Sequence, residues 1–472
     1  MKVNSWPVYG ALSLLFLYFS SFFSITSDKN DELVILFLFF HSVLFFYCFK
    51  IKLKELNSVS FLFFVFYLIY GVSAPFSLLL GGGIPDIFNQ PYLLGEYLYL
   101  YSIATTGIVI SFFFVNYKES IHIKKNPLSN NVLMYVGMIL CILALIMDLI
   151  NNFRVGFVSV FQDKAVYQSQ IQSLSMTLPA GKMYICAVIV FSLGLSREKL
   201  KKHKVKIFTF IIFFFPTLMI HLVSGQRGFI LSVIICSFLS LTYHKSINSV
   251  NVKYILLLVL VYFSLVVVTV IRGVAGYAIE NNDYQLIYDK FEDYEVILKR
   301  VNPAESEFGA PFGNLNEYLI NNQSNSEYVF GYTYLISPIV MIPSFIYPGD
   351  KPDQAIYEFR NKYFSSERYR GDIASTGYSP ILEAFHNFGS VGILFIFFIV
   401  SYFMQCLLRW KFLYDGIFYP VFVCLLYNVA RVFHRSDMST VIGEVYWAVI
   451  LALITSFIYK VFFIFKSKGN II

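Results

Sequence analysis

Apolar runs long enough to cross a bilayer recur along this chain at 8–26, 32–49, 59–80, 96–116, 129–149, 179–196, 207–224, 228–243, 254–271, 389–408, 417–430 and 442–465. About twenty residues of α-helix span the ~30 Å hydrocarbon layer, and inside it every peptide group must find its partner within the same segment. The pattern therefore predicts an all-α integral membrane protein of about twelve transmembrane helices, with 417–430 the shortest. Charged side chains are 14% of the 472 residues, against about a quarter in a soluble domain, which excludes a cytosolic enzyme. The 36 basic and 29 acidic residues are too evenly matched and too scattered for a nucleic-acid surface. The first run has no small-residue cleavage pattern and is followed at once by others, so it reads as a span and not as a signal peptide. Six cysteines, at 48, 141, 186, 236, 406 and 424, lie in or beside apolar runs without CxxC spacing. Neither a disulfide framework nor a thiolate metal site is indicated, and no metal is expected.

Lysine and arginine in short loops stay on the cytoplasmic side of a membrane. One alternating set of loops, with both termini, holds 20 of the 36 basic residues: around Lys50–Lys54, Lys118–Lys125, Arg197–Lys206, Lys245–Lys253 and Arg409–Lys411, with Lys2 and Lys460–Lys468. Both termini are thereby placed in the cytoplasm, in agreement with an even number of helices. The other side receives 27–31, 81–95, 150–178, 224–227, 431–441 and a long segment at 272–388 with 16 acidic and 9 basic residues. The chain so divides into a bundle of nine helices (1–271), a large helical extracytoplasmic loop (272–388) and three further helices (389–472). Within the loop, the apolar stretch 331–347 carries Pro338 and Pro343, which disfavour a straight span, so a re-entrant or interfacial element is expected. No internal repeat or symmetric pair of interrupted helices is visible.

Arginines on the side that disfavours them need a reason. Arg154 stands in NNFRVGF just past a helix, Arg227 in SGQRGF in the tightest turn, and Arg272 in VIRGVAG at a helix exit. Arg431, His434 and Arg435 stand in RVFHR, read as a short loop before the last helix. All occupy one membrane face, and several adjoin glycine, which lets a ligand approach the backbone. Guanidinium forks match phosphate oxygens and keep their charge when partly desolvated. A ring of them at the mouth of a membrane cavity reads as a site for a lipid-linked phosphate or diphosphate. The plainer alternative is that each snorkels to lipid headgroups. Arg227 and Arg272, tied to helix ends with little loop to move in, favour the binding site.

The second half of the long loop brings Arg360, Arg368 and Arg370 close in sequence and runs Glu383, His386 and Asn387 straight into the helix expected from Gly389. Glu383 and His386, three apart, share a face if that helix starts early. A carboxylate or imidazole at the interface can take a proton from a sugar hydroxyl while arginines neutralise a departing diphosphate. Glu383 and His386 are thus the candidate catalytic residues, with a helix start oriented by local hydrogen bonds as the competing reading. Asp148 and Glu96, near helix ends, are expected at the interface, and Cys406 and Cys424 in the core.

This organisation resembles the Wzy family of bacterial O-antigen and related polysaccharide polymerases. EAFHNFGSVG at 383–392 is similar to the NFG segment that leads from that family's long loop back into the membrane. SGQRGF looks like the family's helix-turn-helix arginine, and Arg360 with Gly371 has the spacing of its RX10G pattern. The resemblance covers nearly the whole chain in layout and only short motifs in sequence. It implies a GT-C-like fold of the ligase and polymerase type in the bacterial inner membrane, with the long loop in the periplasm. It also implies that repeat units carried on undecaprenyl diphosphate are joined, one lipid-linked glycan passing to the nonreducing end of another with release of undecaprenyl diphosphate. No nucleotide sugar, metal or other cofactor is then needed. Arg227, Arg272 and the loop arginines would hold the diphosphates, with Arg154, Asn387, Arg431, His434 and Arg435 as further substrate contacts, and a chain-length-regulating co-polymerase is the implied partner. Two alternatives stay open. The pair His386–Asn387 also resembles the related O-antigen ligases, which use a histidine of this loop to pass finished glycan to lipid A core. A flippase for lipid-linked oligosaccharide would share the helix number, but its charges should line a cavity within the spans and it should lack a cap of 117 residues.

Overall fold

The computed structural model describes residues 31–48, 58–83, 92–114, 128–156, 179–196, 203–223, 227–243, 302–305, 308–322, 328–342, 351–363, 377–410 and 416–467, with isolated positions between 266 and 289. The regular structure among the described residues is helical throughout. In chain order the helices are α1 (Asp31–Cys48), α2 (Val59–Leu79), α3 (Leu94–Phe114), α4 (Asn130–Val155), α5 (Ala180–Leu195), α6 (Lys204–Val223) and α7 (Arg227–Leu241). After a 3₁₀ turn at Pro303–Glu305 come α8 (Ala310–Asn321), α9 (Tyr332–Val340), α10 (Ala355–Tyr363), α11 (Pro380–Trp410), α12 (Phe418–Leu425), α13 (Tyr427–Val432) and α14 (Met438–Ser467). Five of the described helices, α2, α4, α6, α11 and α14, are long and apolar enough to cross a membrane; α5, parts of α1 and α7, and the stretch Phe418–Val432 are shorter apolar helices. The expected spans at 8–26 and 254–271 lie outside the described residues, Val266 apart.

Lipid tails are as apolar as leucine, so helices in a bilayer associate through close packing and hydrogen bonds, with little drive from burial. A Cβ added at Gly137 of α4 would fall 2.8 Å from the Phe191 nitrogen and 2.9 Å from its Cα, and one at Gly194 of α5 would fall 2.9 Å from the Asn130 carbonyl oxygen. The backbones of α4 and α5 therefore touch along their length. Gly107 of α3 packs in the same way on the Leu394 carbonyl of α11. Hydrogen bonds between helices complete the contact: Gln405 Nε2 of α11 donates to Ser111 Oγ of α3 at 2.6 Å, and the Ser60 hydroxyl of α2 donates to the Met404 carbonyl of α11.

Helix ends that the charge pattern puts on one side lie together. Ser129 N–H donates to Tyr459 Oη at 2.9 Å and Lys206 Nζ donates to Asn131 Oδ1 at 2.9 Å, which gathers the starts of α4 and α6 with the last turns of α14. Lys182 at the start of α5 meets Glu444 near the start of α14. Of α4, α5 and α6, consecutive helices thus run in opposite directions.

Three sequence expectations change. α11 begins at Pro380, ahead of the expected Gly389, and reverses at Phe388 (φ −142°) and Gly389 (φ 63°). Residues eight apart in a straight helix are about 12 Å apart, yet a Cβ at Gly392 would fall 2.6 Å from the Ala384 carbonyl oxygen. The first arm of α11 therefore folds back along the second, and Ile381 and Phe397 line one cavity. The run at 417–430 is broken at Leu426 into α12 and α13, and RVFHR is no surface loop: Arg431 ends α13 and His434 is buried in the turn that follows. Asp148 is buried among packed side chains, and α4 runs on past it to Val155. At 332–340 the apolar stretch forms α9, which turns Thr333, Ile336, Ser337 and Val340 inward and leaves Leu335 75% exposed. That is the amphipathicity of a helix lying along an interface; 343–347 lies outside the described residues.

Gly137→Val should therefore push α4 from α5 and destabilise the protein by about 1–3 kcal/mol, the usual cost of overpacking. A lowered unfolding temperature in detergent checks this. Gly83→Ala, whose Cβ would meet open space, should leave the temperature unchanged.

Candidate functional site

The folded-back arm of α11 starts with helix-start chemistry. Ser379 precedes Pro380 and accepts the Leu382 N–H on its hydroxyl at 3.3 Å, and proline suits the first helical position because its missing N–H has no partner there anyway. One turn on, Glu383 is 2% exposed. Its Oε1 accepts the Thr333 hydroxyl of α9 at 2.9 Å, and its Oε2 accepts the N–H of Met438, the first residue of α14, at 2.8 Å. Two helix N-termini, its own and that of α14, flank the carboxyl group, and the positive end of a helix dipole favours an acid there. Asp437 caps α14, its Oδ1 accepting Thr440 N–H at 3.1 Å and the Thr440 hydroxyl at 2.6 Å, while its Oδ2 is buried with no hydrogen-bond partner. Asn387 Nδ2 donates to Thr333 Oγ1 at 2.8 Å and to the Glu383 carbonyl at 2.7 Å. Burial first, then the Glu383 and Asp437 carboxyls, hold the Tyr378 phenol well above its ordinary range, so it stays protonated. Glu383 is the clasp that joins α9, α11 and α14.

His386 leaves the same arm toward other neighbours. It is half-buried, with its ring centroid 5.5 Å from that of Tyr318 in α8, and the Lys362 charge of α10 lies nearby. Burial pushes the Tyr318 phenol up to about 12. The arm is sandwiched, with α9 and α14 on the Glu383 side and α8 and α10 on the His386 side. Three positions along a helix are enough to send the two candidate catalytic residues into different layers.

Among the arginines, one pair of motifs converges. A Cβ added at Gly228 would fall 2.9 Å from Arg431 Nη1, so the Arg431 guanidinium lies on the backbone next to Arg227, the first residue of α7. Arg431 Nε is buried with no hydrogen-bond partner. Beside it the Ser232 hydroxyl donates to Asn428 Oδ1 at 2.9 Å, which ties α7 to α13. Arg435 lies next to the α11 arm, its carbonyl accepting Tyr378 N–H at 2.7 Å. Arg154 is exposed in the last turn of α4, and Arg360 lies within α10. Arg272, Arg368, Arg370 and Gly371 lie outside the described residues. His434 turns into the bundle, Nε2 donating to the Phe63 carbonyl at 3.1 Å. With Tyr67, Tyr70, Tyr97, Tyr101 and Ser379 it lines a cavity of about 20 Å³, room for one water-sized group.

Sequence reading missed two basic residues at this end of the bundle. Lys182 pairs with Glu444 at 2.9 Å, and His221 stacks on Phe229 with ring centroids 4.0 Å apart. Both lie inside apolar runs, where a search confined to loops passes over them. It also missed the buried polar side of α8, where Asn316 Oδ1 accepts Leu93 N–H at 2.7 Å. Among the described residues no cluster of three His, Cys, Asp or Glu side chains has metal-binding geometry.

The family model described as O-antigen polysaccharide polymerase Wzy matches residues 9–467. A Staphylococcus aureus protein named Protein CapE is 25% identical over 308 residues, which are 63% of this chain and 62% of that protein. The chain therefore spans less than two thirds of the length of this relative. No solved structure matches the chain. The family match takes in all of α1 to α14, including the reversed arm of α11 and the Arg431–Gly228 contact, and the chain belongs to the Wzy family of O-antigen polysaccharide polymerases.

Proposed function

We propose that the protein joins oligosaccharide repeat units carried on undecaprenyl diphosphate into O-antigen or a related surface polysaccharide, at the exoplasmic face of the bacterial inner membrane. The observation that carries this reading is the Arg431 guanidinium seated on the Arg227–Gly228 turn, in a chain whose family match spans 9–467. Two arginines at the ends of facing helices suit a diphosphate, since each fork can take two oxygens. The reading includes a GT-C-like bundle of about twelve spans, cytoplasmic termini, a periplasmic loop and a chain-length-regulating co-polymerase.

In this reaction a hydroxyl at the nonreducing end of the acceptor glycan attacks the anomeric carbon of the donor. The new glycosidic bond forms as the carbon–oxygen bond to the diphosphate breaks, and undecaprenyl diphosphate leaves with the electron pair. Arg227 and Arg431, with Arg272, Arg360, Arg368 and Arg370, neutralise the leaving group, and Arg154, Arg435 and Asn387 make further substrate contacts. His386 receives the hydroxyl proton, being the less buried of the two candidates. Glu383 acts through position: by holding α9 and α14 to the arm it sets where His386 and Asn387 stand.

Purified protein given its lipid-linked repeat unit and no other enzyme should form a ladder of lipid-linked multimers. Glycan transferred only to lipid A core would make it a ligase, and translocation without new linkages would make it a flippase. Arg431→Ala should lower turnover about 10- to 100-fold, the worth of a charge-assisted hydrogen bond or two, without lowering the unfolding temperature.

The roles of the two arm residues separate in a second pair of variants. His386→Gln should cost about 10²–10⁴ in kcat, the range of general base catalysis, with KM little changed. Glu383→Gln sets an amide against Thr333 and the Met438 N–H and should destabilise the fold by about 1–3 kcal/mol, through a mismatched buried donor or acceptor. A Glu383→Gln protein of unaltered unfolding temperature but without turnover would assign the proton to Glu383 instead.

A further inference from the structure

We infer that Lys182 is a further cation of the diphosphate site, held in waiting by Glu444, and that the diphosphate displaces this carboxylate when it binds. The inference rests on the diphosphate reading above. Lys182 Nζ lies 2.9 Å from Glu444 Oε1, with side-chain exposures of 31% and 18%, so the pair stands at the edge of the bundle and not in its core. The ammonium also lies 5.7 Å from the centre of the Trp447 ring.

Contacts link this pair to the arginines. A Cβ at Gly181 would fall 3.6 Å from the Phe229 ring and 3.7 Å from the His221 ring. Phe229 follows Gly228, on which the Arg431 guanidinium rests. Gly181 beside Lys182, and Gly228 beside Phe229, thus bring the start of α5 to the start of α7, next to the ends of α6 and α13.

The placement of Lys182 is poor for helix stability. It sits in the first turn of α5, where the helix dipole repels a cation and attracts an anion. A half-exposed lysine–glutamate pair contributes little to folding. An arriving diphosphate offers more charge and more acceptor oxygens than a single carboxylate, and the ammonium, with three donors around a point charge, can turn from one to the other. Glu444 keeps the cation from wandering to lipid headgroups while the site is empty.

The test uses the full chain in detergent, with inorganic pyrophosphate as the probe, and measures affinity by calorimetry alongside unfolding temperature. Lys182→Met should weaken pyrophosphate binding about tenfold, and Arg431→Ala at least as much, as expected for charge-assisted hydrogen bonds. Glu444→Gln should strengthen binding several-fold because the competitor is gone, and the double variant should match Lys182→Met. Opposite signs for the two single variants are the signature. If both lower the unfolding temperature, the double variant restores it and affinity stays constant, the pair is only a structural bridge and the inference falls. Weaker binding by Glu444→Gln would also overturn it. Unchanged affinity in Lys182→Met with a loss in Arg431→Ala rejects Lys182 alone, whereas unchanged affinity in Arg431→Ala rejects the diphosphate reading itself.

Discussion

The reversal at Phe388–Gly389 is the constraint on which the candidate site depends. Gly389 takes φ 63°, in the left-handed region that side chains avoid, and a Cβ there would fall 3.2 Å from the Tyr328 hydroxyl oxygen. Gly331, at φ 85°, is its counterpart on the other side, where a Cβ would meet the Phe388 ring at 2.6 Å. These two glycines let the turn before α9 nest into the turn of α11. The α11 arm can then run back beside its own helix and present Glu383 and Asn387 to Thr333 of α9, Glu383 also to α14, and His386 to α8 and α10.

A carboxyl group as buried as Glu383 needs compensation, because desolvation of an unpaired acid costs several kcal/mol. Among the described residues no lysine or arginine supplies it. The compensation is a hydroxyl, a backbone N–H and the dipoles of two helix starts, all of them fixed by packing. Such groups do not move away as a flexible cation can, which suits a clasp whose task is to hold other residues in place. Lys182 at the start of α5 and Arg431 near the end of α13 are less buried than Glu383, and under the proposed function an anionic ligand would compete for them. On that reading the protein separates rigid positioning from charge binding.

The same division explains why the buried histidine of RVFHR and its first arginine behave differently. Three residues after the half-buried Arg431 the chain has turned inward, so that Arg431 lies on Gly228 while His434 donates to a carbonyl of α2. Proximity in sequence put them in one motif. The direction of each side chain put one on the backbone at the start of α7 and the other among tyrosines.

Much of the architecture was legible in the sequence, since bilayer thickness fixes the length of an apolar run and the charge bias orders the loops. Eight of the twelve runs meet a described helix within a few residues, and one of the arginines assigned to one face, Arg431, lies on the Gly228 backbone next to Arg227. Both are one-dimensional signals. The reversal of α11, the parting of Glu383 from His386, the inward turn of His434 and the pairing of Lys182 with Glu444 were decided by tertiary structure. Each depends on which faces of distant helices meet and on where glycine lets two backbones touch, and hydropathy, which averages over a whole helix, carries no record of either.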